Sequence, residues 1–193
     1  VDAPGSRPLV VFLHGRHSTC FKGGPDGRSS GDWPCHTGWE PIPSHLGYLD
    51  AQQLLASQGY VTVSIAANGI NGQDAEVTDG GALARSELVR HHLRLWHRWS
   101  TTGDGPFGSS FVDRVELDDI LLVGHSRGGE GVNRAAVDSR PANPWRIAGQ
   151  LLIGPTAFGR QTALGVDTAV LLPFCDGDVS DLQGQQYVDQ GRD

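Results

Sequence analysis

The stretch Ile120-Leu121-Leu122-Val123-Gly124-His125-Ser126-Arg127-Gly128-Gly129-Glu130 restricts the fold of this chain more than any other. Its four consecutive aliphatic residues, preceded by Asp118 and Asp119, are too few for a helix and lack the alternation of a half-exposed strand. They read as a strand buried on both faces, as in a parallel sheet covered by helices. The strand stops at glycine, and Gly124, Ser126 and Gly128 form a G-x-S-x-G pattern. That pattern suits a sharp strand-to-helix turn, in which the serine takes a strained backbone conformation and its neighbours must lack side chains for the turn to close. Ser126 is therefore the candidate nucleophile. Gly129 to Asp138 carries Ala135, Ala136 and Val137 without proline, and a helix is expected there with its N-terminal amides pointing back at the turn.

Other segments repeat the alternation of strand and helix. Pro8 to Leu13 is a second buried strand running into His14-Gly15-Arg16, and Tyr60 to Ile65 is a third. Ile147 to Ile153 and Thr168 to Leu172 are two more. A helix is expected from about Ser44 to Ser57, with Leu46, Leu49, Leu54 and Leu55 on one side and Gly59 as its stop. A second covers Gly81 to Ser100, where Leu88, His92, Leu95, Trp96 and Trp99 recur at helical spacing and Asp79 is a plausible cap. The tryptophans of that stripe read as core, and His91, His92 and His97, without a carboxylate partner, as structural. Asn68 to Gly72 reads as a loop by its turn chemistry, and Thr101 to Asp119 as a polar connection. The order gives an α/β three-layer sandwich with a mostly parallel central sheet and right-handed crossovers, in one domain spanning residues 1–193.

The net charge of −7, with no basic cluster, argues against nucleic acid or an anionic membrane surface as the main partner. No apolar run approaches the ~18 residues of a membrane span. Cys20 and Cys35 bracket a glycine-rich polar segment with little apolar content to hold it in place. A disulfide closing residues 20–35 would stabilise it by roughly 3 kcal/mol in the chain-entropy account and implies an oxidising, extracellular address. The other reading is two reduced loop cysteines in a cytosolic protein. Cys175 is left without a partner, which suggests one beyond Asp193.

Three separated sites agree: His14-Gly15, Gly124-His125-Ser126-Arg127-Gly128, and an acidic turn after Pro173-Phe174. Together they resemble the α/β-hydrolase superfamily over nearly the whole chain. His14-Gly15-Arg16-His17-Ser18-Thr19-Cys20 and the run from Cys175 to Gly184 look like a group of large secreted bacterial hydrolases of poorly defined substrate. The resemblance implies an oxyanion hole built from the backbone amides of Arg16 and Arg127. It also implies a triad in the chain order serine, acid, histidine. Asp178 is the expected acid and Asp176 the second choice, while Asp181 is expected to cap the following helix. The run from Asp176 to Asp181 also looks like half a calcium loop, but Asp181 and Tyr187 stand where glycine and glutamate are needed, so no metal and no cofactor is expected.

All eight histidines, His14, His17, His36, His45, His91, His92, His97 and His125, precede Asp178, whereas the family's general base follows the acid. The chain thus resembles a hydrolase domain lacking its last strand and helix, with the catalytic histidine on a C-terminal segment or a second chain. His125 is not expected to substitute, because a side chain next to the nucleophile points away from it. Gly154 to Asp167 is too short for a domain-sized lid, so an open cleft lined by Arg16, Thr156 and Phe158 is expected. These features lead to a secreted serine esterase acting on an ester of unknown acyl group. The alternative is a non-catalytic binding module using the loop around Trp33 and Trp39.

Overall fold

A computed structural model describes residues 5–24, 27–139 and 141–191. In chain order its elements are β1 (Arg7–Leu13), β2 (Cys20–Lys22), β3 (Arg28–Ser30), β4 (Glu40–Pro41), α1 (Leu49–Ser57), β5 (Val61–Ile65), α2 (Asn68–Asn71), α3 (Ala82–Thr102), β6 (Val115–His125), α4 (Arg127–Asp138), β7 (Ile147–Ile153), β8 (Asp167–Leu171) and α5 (Gln185–Gln190). Five strands form one sheet in the order β5-β1-β6-β7-β8, and every pairing in it is parallel. This is the α/β architecture expected, with β6, the strand that leads into Ser126, at its centre. No helix among the described residues is long and apolar enough to cross a membrane.

Alternating side chains of the buried strands feed two cores. Leu9, Val11, Leu13, Ile120 and Leu122 pack with Val89, Leu93 and Trp96 of α3 and with Val132 and Ala135 of α4. Val10, Phe12 and Val123 face the other way, where Tyr48 and Leu55 cover them. The second layer is thin, and the leucine face expected on α1 is largely unused. Leu46, Leu49 and Leu54 are exposed, and Leu55 alone of the four joins the core. Residues 44–48, expected as the helix start, wind more tightly as a 3₁₀ turn before α1 proper.

Three further expectations change. Residues 68–71 form a single helical turn, α2, because Asn68 and Asn71 are buried and bond the neighbouring loop backbones. β6 begins at Val115, five residues earlier than the apolar run suggests. Its pairing with β1 jumps between Pro8 and Leu9, so Asp118 and Asp119 ride outside the ladder as a bulge that the apolar pattern hides. Asp181 caps no helix: its carboxylate accepts from Gln183 Nε2, and α5 starts only at Gln185. By contrast, Asp79 caps α3 as expected, accepting from the Gly81 and Leu83 amides at 3.0 and 2.8 Å.

Cys20 and Cys35 are joined by a disulfide. The segment it closes is more ordered than its composition suggests, since β2 pairs with β3 and β4 as a small antiparallel sheet. Pro25 and Asp26 of that segment lie outside the described residues. Cys175 is exposed and carries no disulfide.

Candidate functional site

The turn at Ser126 is enforced by contact. A Cβ on Gly124 would lie 2.4 Å from the Gly128 carbonyl oxygen, and one on Gly128 would lie 2.4 Å from the carbonyl of Leu13 and 2.5 Å from that of His14. Both positions require glycine because backbone, which cannot swing aside, occupies the space. Ser126 itself has φ 54° and ψ −127°, a conformation that side-chain-bearing residues rarely take and that is costly by roughly 1–3 kcal/mol. The surroundings over-determine it. The Ser126 amide donates to Ile153 O at 2.9 Å, and its carbonyl accepts from the amides of Gly129 and Thr156 at 2.9 and 3.3 Å. Ser126 thus stands between the end of β6 and the first residue of α4, whose leading amides have no acceptor within the helix.

The loop after β1 runs directly beside this turn. A Cβ on Gly15 would come within 2.9 Å of Ser126 Cβ, so the His14-Gly15-Arg16 backbone passes the serine at contact distance. His14 holds the loop from inside the protein: its Nε2 accepts from the Ala67 amide at 2.8 Å and its Nδ1 lies 2.8 Å from Gly15 O. Nε2 is therefore the unprotonated nitrogen and Nδ1 the donor. Burial pulls the His14 pKa down to about 4, which keeps the ring neutral. This is the structural role expected of it.

A cleft of about 300 Å³ opens over Ser126, lined by Arg16, Arg127, Thr156, Phe158, Asp178, Val179 and Gln183. It joins Ser126 with Arg16, Arg127 and Asp178, and includes the expected lining residues Thr156 and Phe158. Asp176 lies just outside. One of its carboxylate oxygens accepts from the amides of Asp178 and Val179 at 2.9 and 3.1 Å, closing the turn that presents Asp178. Those two bonds, with His125 nearby, hold the Asp176 carboxyl below the usual carboxylate range. His125 lines a different cleft, together with His14, His17 and Tyr48, yet its Nδ1 stays close to the turn, 3.1 Å from the position a Cβ on Gly15 would take, the same position that lies 2.9 Å from Ser126 Cβ. No group of three or more His, Cys, Asp or Glu placed to hold a metal occurs among the described residues.

Two features of the site were not anticipated from the sequence. Asp74, with its side chain fully buried, accepts from Arg16 Nε and Arg85 Nη2, each at 2.7 Å, and pairs with Arg127 Nη1 at 3.0 Å. Burial alone would raise its pKa, but the guanidiniums of Arg85 and Arg16, with Arg127, keep the carboxyl below its usual range. Asn71 extends the cluster, accepting from Arg85 Nη2 at 2.6 Å and donating to Gly15 O at 3.1 Å. The second feature is Glu130, buried in α4, which accepts from Thr156 Oγ1 at 2.7 Å and the Gly159 amide at 2.6 Å, while Tyr187 OH donates to Thr156 O at 2.6 Å. Arg85 offered a readable signal: it falls on the apolar stripe Ala82, Ser86, Val89, Leu93 and Trp96, where a charge needs a partner. Asp74 offered none.

No family model matches the chain, and no curated protein matches it. Solved structures do. One of esterase B from Lactobacillus rhamnosis (HN001) has a TM-score of 0.47 at 16% identity, covering 97% of this chain and 47% of that one. A structure of the esterase inhibited by C6-C4 SN3 has a TM-score of 0.45 at 15% identity, covering 97% and 48%. The likeness is one of fold. This chain spans about half the length of those esterase structures.

Proposed function

We propose that the protein is a serine hydrolase of carboxylic esters, working by two-step acyl transfer with Ser126 as nucleophile. The observation that carries this reading is the strained conformation of Ser126 at the end of the central strand, inside the cleft that also holds Asp178. Ser126 Oγ attacks the ester carbonyl carbon, giving up its proton to a base. The alkoxide leaves with that proton, and water, activated by the same base, then releases the acid. The backbone amides of Arg16 and Arg127 hold the developing oxyanion. Asp178 orients the base and stabilises its protonated form, as the acid of a triad does.

The base is an imidazole from outside the 193 residues, on a C-terminal segment or a second chain. Of the histidines near the turn, His14 is committed to the Ala67 amide and kept neutral, and His125 precedes the acid in the chain, against the triad order serine, acid, histidine. The cleft has no covering domain in the short β7–β8 connection, which suits an ester on a bulky or extended acyl group. The Cys20–Cys35 disulfide supports a secreted protein. A fluorophosphonate probe on the intact protein tests the reading. Stoichiometric modification mapped to Ser126, abolished in Ser126→Ala, is expected. Folded, full-length protein that takes up no label overturns it and leaves the binding module around Trp33 and Trp39.

A further inference from the structure

The cleft beside Ser126 holds more positive charge than its buried carboxylates neutralise. Three guanidiniums, those of Arg16, Arg85 and Arg127, converge on the single carboxylate of Asp74. Arg85 is wholly buried and spends its outer nitrogens on Asp74, Asn71 and Gly80. The other two reach solvent, with 45% of the Arg16 side chain and 22% of the Arg127 side chain exposed. Both line the cleft that contains Ser126. Glu130, the other buried carboxylate, accepts from the Thr156 hydroxyl and the Gly159 amide, which carry no charge, so two buried carboxylates stand against three guanidiniums. Asp178 pairs with neither arginine among the described residues.

A guanidinium offers five N–H donors in a planar fork that matches a carboxylate. Among the described residues Arg16 commits its Nε to Asp74, and Arg127 commits Nη1 to Asp74 and Gly80. Donors therefore remain on both forks at the cleft wall. Asp74 fixes both side chains in place before any ligand arrives, which lowers the entropy lost on binding. Beside them is an apolar surface: Phe158 is 46% exposed, and the Arg127 guanidinium lies over its ring at 5.4 Å.

We propose that Arg16 and Arg127 form an anion subsite, and that the ester cleaved at Ser126 carries its own oxyanion on an apolar or aromatic body that rests on Phe158. The substrate class is thus an anionic ester, such as a monoester of a dicarboxylic acid, in place of a neutral acyl ester. This assignment rests on the reading of Ser126 as nucleophile, but the subsite is measurable without catalysis.

Calorimetric titration of the intact protein at low salt, with benzoate, its neutral isostere benzamide, and benzenesulfonate, tests it. Benzoate or benzenesulfonate is expected to bind at least tenfold more tightly than benzamide, with the preference shrinking as salt rises. Tighter benzoate assigns a carboxylate, and tighter benzenesulfonate a sulfo group. Arg16→Gln is expected to remove the preference and Arg16→Lys to keep part of it, with melting curves reporting that each variant folds. Phe158→Ala, at an exposed ring, weakens benzoate and benzamide alike. Equal affinity for benzoate, benzenesulfonate and benzamide, or a preference that survives Arg16→Gln, overturns the subsite. Fluorophosphonate labelling run in parallel separates the two ideas. Labelling without anion preference rejects the subsite alone, and anion preference without labelling supports the subsite while rejecting the esterase.

Discussion

Replacing Asp74 by asparagine probes the centre of the site with the least change in shape. The carboxylate has no exposed surface and meets three guanidiniums, of which Arg85 is itself completely buried. Asparagine keeps one acceptor oxygen but turns an amide group toward a guanidinium, leaving Arg85 without a counter-charge. Breaking a buried pair by removing one partner costs about 3–5 kcal/mol, and the lower end applies here because one acceptor survives. At about 2–4 °C per kcal/mol for a chain of this size, the melting temperature should fall by about 6–12 °C. The sign of the pH dependence follows from the same geometry. A carboxyl held below its usual value of 3.8 stabilises the fold above that pH, and the contribution is lost as pH falls through the lower folded value. The gap between wild type and Asp74→Asn, measured by urea denaturation, should therefore be full at neutral pH and narrow in acid below 3.8. A loss under about 1 kcal/mol at pH 7 would refute the view that this carboxylate organises the cleft.

Gly128→Ala should cost at least about 3 kcal/mol or prevent folding, since its Cβ meets two backbone carbonyls, whereas Gly47→Ala, with open space around it, should be near neutral by the same denaturation assay. Ser126→Gly removes the strained side-chain-bearing conformation and should raise the unfolding free energy by about 1 kcal/mol, the strain released less the added chain entropy of glycine; a lower free energy in urea denaturation would show that the turn is not strained. His14 is neutral in the folded protein down to about pH 4 and titrates at 6.5 when exposed, so the unfolded chain binds more protons in that window. Stability should rise with pH between those values, and His14→Asn should flatten the slope in a series of urea midpoints at fixed pH.

Where structure follows from neighbours in the chain, the sequence was sufficient. Ile147–Ile153 forms a strand over the residues expected, and β1 and β5 begin within a residue of the expected place, because a buried parallel strand must be continuously apolar. The turn at Ser126 was legible for the same reason: glycine at 124 and 128 is a local steric requirement, and the pattern states it outright. The leucines of α1 misled, since amphipathic spacing says which side of a helix is apolar but not whether anything lies there to cover it. The grouping of Arg16, Asp74, Arg85 and Arg127 was beyond reach. Asp74 lies 58 residues from Arg16 and 11 from Arg85, in a segment whose composition signals only a turn. Which of the 22 acidic residues are buried, and which arginines Asp74 gathers, depends on the segments after β1, α2 and β6 meeting beyond the C-terminal ends of the central strands. The sequence by itself determined the five strands of the main sheet, the bend at Ser126 and the candidate nucleophile, all short-range consequences of side-chain size and polarity. The tertiary structure alone decided the electrostatics of the cleft, because a charge is buried or exposed only by what the rest of the chain packs around it.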